Sequence, residues 1–427
     1  MTTLIIAAIC FTLMFLGMPV AFSIGVASLG FFMFSDFVPL SISVQKIAAA
    51  TQSFPLLAVP LFIVAGNLMN ATGITARLVA LANALTGWLA GGLAQVSIVL
   101  SALMGGVSGS AVADAAMQAR ILGPAMIKQG YAKGYACAVI SVGSLITATI
   151  PPSLGLILYG FLGNVSIGKL FVGGIVPGLL MTLILMAIAF TIAKRRGYVA
   201  GMDQRPTGRE VLRQLNASKY ALLFPILLIV GIRYGIFTPS EAGAFAVAYA
   251  IFIGVFAYRE LTLEAFRKAL HQSVSDIGVI MLIIMFSSMI GYVIALDQVP
   301  QGAARFILSL TSNRELLMGC MVLLLFVLGM FLEATVVTLL LTPILVPVVT
   351  RLGIDPVHFG LVMMTTVTFG CMTPPVGTAM YAVCGLLRCR MDDYTREAIP
   401  LFGVVIALII LMIVWPDLVL VLPNLLM

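Results

Sequence analysis

Charge is scarce in this chain of 427 residues. Asp, Glu, Lys and Arg make up 9% of it, against roughly 25% in a soluble globular domain, while hydrophobic residues make up 61%. An ordinary water-soluble fold is therefore excluded, and a polytopic, all-α membrane protein is expected. Histidine is nearly absent: His271 and His358 stand alone near the edges of apolar runs and suggest no catalysis. The six cysteines, at 10, 137, 320, 371, 384 and 389, show no zinc, haem or disulfide spacing. No Gly-x-Ser-x-Gly, His-Glu-x-x-His or Walker pattern occurs, so the chain hydrolyses no ATP, and the lack of paired catalytic groups argues against an intramembrane enzyme.

What the chain has is long apolar runs, at about 3–34, 54–72, 94–128, 134–163, 168–193, 219–257, 277–297, 316–350, 357–387 and 398–426. Several exceed the ~20 residues that cross a bilayer, so each is a helix pair, a re-entrant hairpin or a broken helix. The N-terminal stretch lacks a basic region and a cleavage site, and is read as the first span. The net charge of +7 calls for no nucleic acid, because it is concentrated in the polar stretch from Lys194 to Lys219. By the positive-inside rule that loop is cytoplasmic.

The runs fall into two related halves. Pro124, Pro151, Pro152 and Pro177 recur 223 residues later as Pro347, Pro374, Pro375 and Pro400, and Gly130 recurs as Gly353. At an offset of 220, Pro19 matches Pro239 and Gln52-Ser53 matches Gln272-Ser273. Repeat 1 is placed at 1–215 and repeat 2 at 216–427. In each, a short amphipathic arm (SISVQKIAAATQS, then LTLEAFRKALHQSVSD) is expected to lie along the membrane surface.

Each half then holds two short helices meeting at a small-residue tip, too short to cross singly: hairpin 1 at about 94–128 and hairpin 2 at about 316–350. A broken helix follows, at about 134–163 with Pro151-Pro152 and at about 357–387 with Pro374-Pro375. Proline removes a backbone donor and clashes with the carbonyl four residues back, so each break leaves carbonyls free at membrane depth. A cation is the economical partner for them.

Near the first tip, Ser108 and Ser110 can ligate an ion or hydrogen-bond a carboxylate. Asp114, one turn further, is a functional candidate by default, or it caps the hairpin or pairs with Arg120. At the second tip Glu333 takes the place of Ser110, with Thr335 and Thr338 beside it. It can receive a substrate donor, a proton or a cation, or accept tip amides as a cap. Ser141, Ser144, Thr147, Thr149 and Ser153 line one break, and Thr365, Thr366, Thr368, Thr373 and Thr378 the other. Singly, most such hydroxyls bond back to their own helix; together they offer oxygen to a hard ion such as sodium. Glu241, in Thr238-Pro239-Ser240-Glu241, has a complete reading as part of a helix start.

The ordered set FLGMPVAFSIG, SFPLLAVPLFIVAGNLMNATGIT, GGVSGSAVADA, TIPPSLGLILYG, FTPSEAGA, LGMFLEATVVTLLLTPILVPV and CMTPPVGTAMYAV resembles, over essentially the whole chain, the large membrane subunit of tripartite ATP-independent periplasmic (TRAP) transporters, of the ion transporter superfamily. The resemblance implies an inverted-repeat fold in which two hairpins and two broken helices slide against a scaffold as an elevator. It implies sodium-driven import of an organic acid, such as a C4-dicarboxylate or sialic acid, across the bacterial inner membrane. A periplasmic binding protein delivers the substrate, and a small four-helix membrane subunit, here expected as a separate chain, holds the scaffold.

Carried over, Ser108, Ser110, Ser153 and Glu333 line the substrate path. Gly106, Ser108, Ser110, Thr147, Gly329, Thr335, Thr373 and Gly377 hold sodium, many through backbone atoms. The family commonly has Asp where this chain has Glu333, which shortens the cavity by about one carbon. A stand-alone ion-coupled carboxylate transporter or exchanger needing no binding protein is the alternative. Counting 219–257 as two spans makes the repeats parallel, whereas the family implies inverted ones. Either residues 75–92 cross separately, or one of 219–236 and 239–257 does not cross fully.

Overall fold

The computed structural model describes residues 2–35, 38–52, 54–201, 205–298, 302 and 314–427. Among these the secondary structure is helical, with no strand, as expected where lipid leaves no partner for an exposed backbone group. The first half of the chain runs α1 (Thr2–Phe15), α2 (Val20–Phe34), α3 (Ser41–Thr51), α4 (Ala58–Asn70), α5 (Ile74–Thr86), α6 (Gly92–Gly105), α7 (Ala111–Ile121), α8 (Gly123–Lys128), α9 (Lys133–Gly143), α10 (Leu145–Thr149), α11 (Leu154–Gly163) and α12 (Ile167–Arg196). The second half follows as α13 (Gly208–Arg233), α14 (Pro239–Phe252), α15 (Leu263–Leu296), α16 (Arg314–Phe331), α17 (Ala334–Arg351), α18 (Pro356–Gly370), α19 (Thr378–Leu387), α20 (Met391–Val414) and α21 (Asp417–Leu426). Among the described residues seven helices are long and apolar enough to cross a membrane, or up to nine if two bent pairs each count as one span. The chain is a multi-pass membrane protein.

Packing is reciprocal between the halves. Helix α2 lies on α15 and α4 on α14, while α11 lies on α17 and α7 on α19. The repeated glycines behave alike as well. Gly130 (φ +86°) and Gly353 (φ +70°) both end hairpins in the left-handed region, where a Cβ is strained.

Three details depart from the sequence reading, and a fourth bears on the choice it left open. The second arm is no separate element, because residues 263–296 form one 34-residue helix. Its counterpart is interrupted between α3 and α4, where Pro55 stands, whereas no proline falls within α15. Ser53, at the end of the first arm, lies outside the described residues. The basic stretch 194–219 is largely helical: Lys194, Arg195 and Arg196 close α12, and Thr207 caps α13 by accepting from the Glu210 amide. Residue 215 therefore lies inside a helix, and Asp203 lies outside the described residues.

The arms of the second hairpin are not short. Helices α16 and α17 have 18 residues each and pass singly as spans by length and composition. Those of the first are short, since α6 has 14 residues and α7 gives way to α8 at Leu122, two residues before Pro124. Finally, α13 and the 19-residue segment Pro239–Ala257 are both long enough to cross, while α5 turns 68° away from α4 as a helix of its own.

The start of α14 follows its sequence reading. Thr238 and Glu241 form a complete capping box with Pro239 in the first turn. His358 is buried with Nε2 2.7 Å from the Met412 carbonyl, a tether between α18 and α20.

Candidate functional site

Both proline breaks are present. Residues 150–153 separate α10 from α11, with a 44° bend across the broken helix, and residues 371–377 separate α18 from α19. The Pro151-Pro152 and Pro374-Pro375 peptides are both cis. Two carbonyls at the second break are not free, contrary to expectation. Cys371 O accepts from the amides of Ala379 (2.9 Å) and Met380 (3.4 Å), and Met372 O accepts from Tyr394 Oη at 2.6 Å.

Each hairpin tip sits against a break. Gly109, at φ +60°, turns the first tip so closely over the second proline that a Cβ there would stand 2.3 Å from Pro152 O. Gly377, at φ +48°, donates its amide to Met330 O at 2.9 Å, tying the second break to the second hairpin. Gly329 serves close packing of α16 on α18, since its Cβ would stand 2.5 Å from Val367 O. Gly106 ends α6 against Pro225.

Ser110 and Glu333 are the N-caps of α7 and α17. The Ser110 hydroxyl accepts from Ala113 N at 3.4 Å. Glu333 makes no regular side-chain cap bond to α17, and its carboxylate is held by the hydroxyl and the backbone of Thr335. Its Oε1 accepts from Thr335 Oγ1 at 2.8 Å. Both residues line a cavity of about 50 Å³ shared with Ser153, Thr335 and Thr368. Both also line a larger cavity of about 470 Å³, where Ser108 and Thr335 from the tips face Asn67, Asn70 and Asp276 from α4 and α15. The structure thus brings Ser108, Ser110, Ser153, Glu333 and Thr335 together. The buried Ser108 and Ser153 hydroxyls have no hydrogen-bond partner.

Asp114 lines neither cavity. It is buried behind the first tip, where Oδ2 accepts from Ser101 Oγ (2.8 Å), Gln118 Nε2 (2.9 Å) and Thr147 Oγ1 (2.7 Å). Oδ1 has no partner and Arg120 is exposed, so the supposed Asp114–Arg120 pair does not form. Thr147 accordingly faces Asp114 and the Ser101 carbonyl. Thr149, Thr338 and Thr373 bond back to their own helices, but the buried hydroxyls of Thr365, Thr366, Thr368 and Thr378 bond to nothing.

Sequence reasoning missed Asn67 and Asp276, which meet at 3.0 Å across 209 residues. The available signal was a lone amide and a lone carboxylate beside apolar spans. Among the described lining residues of the two cavities, the charged side chains are Glu333 and Asp276; no Lys or Arg is present.

The family model for the tripartite ATP-independent periplasmic transporter, DctM component, matches residues 7–418. The sialic acid TRAP transporter large permease protein SiaM of Vibrio cholerae is 37% identical over 413 residues, covering 97% of this chain and 96% of that one. The C4-dicarboxylate TRAP transporter large permease protein DctM of Rhodobacter capsulatus is 31% identical over 444 residues, covering all of both. In fold the chain is similar to the Alcanivorax borkumensis YdaH transporter, with a TM-score of 0.65 at 14% identity and 88% of each chain covered. The paired hairpins and proline-broken helices thus belong to a permease whose relatives match it end to end: the chain is a member of the DctM family of TRAP transporter large membrane subunits.

Proposed function

We propose that this permease imports an organic acid, of the C4-dicarboxylate or sialic acid kind, across a bacterial inner membrane, driven by sodium. Its working partners are a small four-helix membrane subunit and a periplasmic binding protein that hands over the substrate. The relatives named for sialic acid and for C4-dicarboxylates support the substrate class.

The observation that carries the sodium coupling is the charge of the cavity. An organic anion entering the 470 Å³ space meets Glu333 and Asp276 with no basic side chain among the described lining residues. At ~4 Å, two like charges repel by about 4 kcal/mol at an effective dielectric of 20. Cations bound at the tips, on backbone and hydroxyl oxygens around Gly106 to Ser110 and Gly329 to Thr335, offset that repulsion. Each ligand then raises the affinity of the other, which is the thermodynamic meaning of coupling.

The cavity also lies between two sets of helices. Hairpins and broken helices form one wall, and α4 and α15 the other. That placement supports an elevator, in which the tips carry ion and acid past a fixed scaffold. The reciprocal packing of α2 on α15 and α4 on α14 supports a duplicated fold; in this reading its two repeats are inverted, and they meet between α12 and α13.

Uptake of radiolabelled C4-dicarboxylates and sialic acid into proteoliposomes, with binding protein and small subunit supplied, tests this reading. Uptake is expected only with an inward sodium gradient and only with the binding protein. Equal uptake under a potassium gradient removes the sodium coupling, and uptake without the binding protein makes the chain a stand-alone carrier.

A further inference from the structure

Away from the cavities, three cysteines with no recognisable spacing in the sequence come together. The sulfurs of Cys137, Cys384 and Cys389 all lie within 4.8 Å of one another. Cys137 is in the second turn of α9, and Cys384 is in the last turn of α19. Arg388, at φ +50°, ends α19 in the left-handed region, and the Cys389 amide reaches back to the Cys384 carbonyl at 2.9 Å. This six-to-one bond is how a Schellman helix end folds the chain over its own last turn. It brings two cysteines five residues apart onto one side, and the packing of α9 on α19 presents the third.

Cys137 and Cys384 are buried, and Cys389 is half-buried, so the cluster has one opening to solvent. The same end of the molecule holds the Arg196–Glu397 ion pair at 2.7 Å, and Gly134 lies against the backbone of Asp393. Arg196 leads into the basic stretch that the positive-inside rule places in the cytoplasm. There thiols persist and structural disulfides are rare.

We propose that Cys137, Cys384 and Cys389 form a three-thiolate site for a thiophilic d10 metal ion, with zinc the ion of choice. All three donors are soft, which favours zinc, cadmium or copper(I) over sodium, an ion of oxygen ligands. Zinc–sulfur bonds of ~2.3 Å place three sulfurs roughly 4 Å apart. The cluster reaches that spacing with shifts under about 1 Å. On binding, each thiol gives its proton to solvent, and a water on the Cys389 side completes a tetrahedron. The ion joins the first broken helix to the end of the second, and so staples the two repeats together without touching the substrate cavity.

Purified protein in detergent, reduced and freed of metal, is titrated with cadmium chloride while the ultraviolet thiolate-to-cadmium band is followed. One equivalent is expected to saturate the band. Cys137→Ser, Cys384→Ser and the half-exposed Cys389→Ser each weaken binding at least about tenfold, the ratio expected when about 1.4 kcal/mol of ligation is lost. Cys10→Ser and Cys320→Ser leave it unchanged. Zinc is expected to raise the melting temperature of the parent protein and not that of Cys389→Ser, which separates loss of the site from loss of folding. No cadmium band in the parent protein, an undiminished band in Cys389→Ser, or a disulfide between two of the three found by mass spectrometry without added oxidant overturns the proposal.

Discussion

Ser110 and Glu333 hold the same place in the two halves, each the N-cap of the second helix of its hairpin, and both line the same two cavities. The Ser110 hydroxyl is bound to its own helix, whereas the Glu333 carboxylate is held only by Thr335 among the tip groups. The tips differ in backbone as well: residues 106–110 join α6 to α7 through Gly109 at φ +60°, whereas residues 332–333 join α16 to α17. Unequal side chains suit a substrate that is read from one end.

Ser153 separates binding from stability. Its hydroxyl is buried and unpartnered in the smaller cavity, so Ser153→Ala removes no internal hydrogen bond and relieves an unsatisfied polar group. The melting temperature is expected to stay level or rise, while KM for uptake rises about tenfold, equivalent to about 1.4 kcal/mol of lost substrate contact. Thermal melts and uptake kinetics on the same preparation check both halves.

Asp114 behaves in the opposite way. Asp114→Ala leaves the buried Ser101 hydroxyl without its acceptor and takes one of two acceptors from Gln118 and Thr147, which keep Ser101 Oγ and the Ser101 carbonyl, and the expected loss is about 2 kcal/mol. Arg120→Ala, at an exposed position without that link, is expected within about 0.5 kcal/mol of the parent protein. Denaturation of the two variants in detergent decides it.

Two glycines with positive φ differ in what surrounds them. At Gly109 a Cβ would stand 2.3 Å from a backbone carbonyl, while at Gly130 nothing lies within 4 Å. Gly130→Ala is expected to cost about 1 kcal/mol, the strain of the left-handed region alone. Gly109→Ala must also push the first tip off Pro152, and is expected to abolish uptake even where the protein still folds. Uptake assays paired with melting curves distinguish strain from displacement.

The proline pairs made both broken helices legible, because a lost donor and a steric clash act locally and need no knowledge of the fold. The tips were legible for a similar reason: Ser110 and Glu333 interrupt apolar runs at matching offsets, and the structure makes both of them N-caps. Local logic also accounted for Glu241, whose capping box lies within four residues. It failed where partners are distant in sequence. Asn67 meets Asp276 across 209 residues, and Thr147 meets Asp114 across 33. Such contacts depend on which helices pack together. The fusion of the second arm into α15 was readable in principle, since no proline or glycine break separates Thr262 from Ser275, but the repeat pattern suggested a boundary that only the first half has.

The role proposed for Glu333 at the second tip is sodium-coupled binding of the acid. The direct measurement is the initial rate of uptake driven by a sodium gradient into proteoliposomes carrying Glu333→Gln, with both partner proteins supplied and folding checked by thermal melting. Uptake is expected to fall to background while the melting temperature is kept, because the variant preserves shape and removes the charge. Sodium-dependent uptake at the rate of the parent protein contradicts the account.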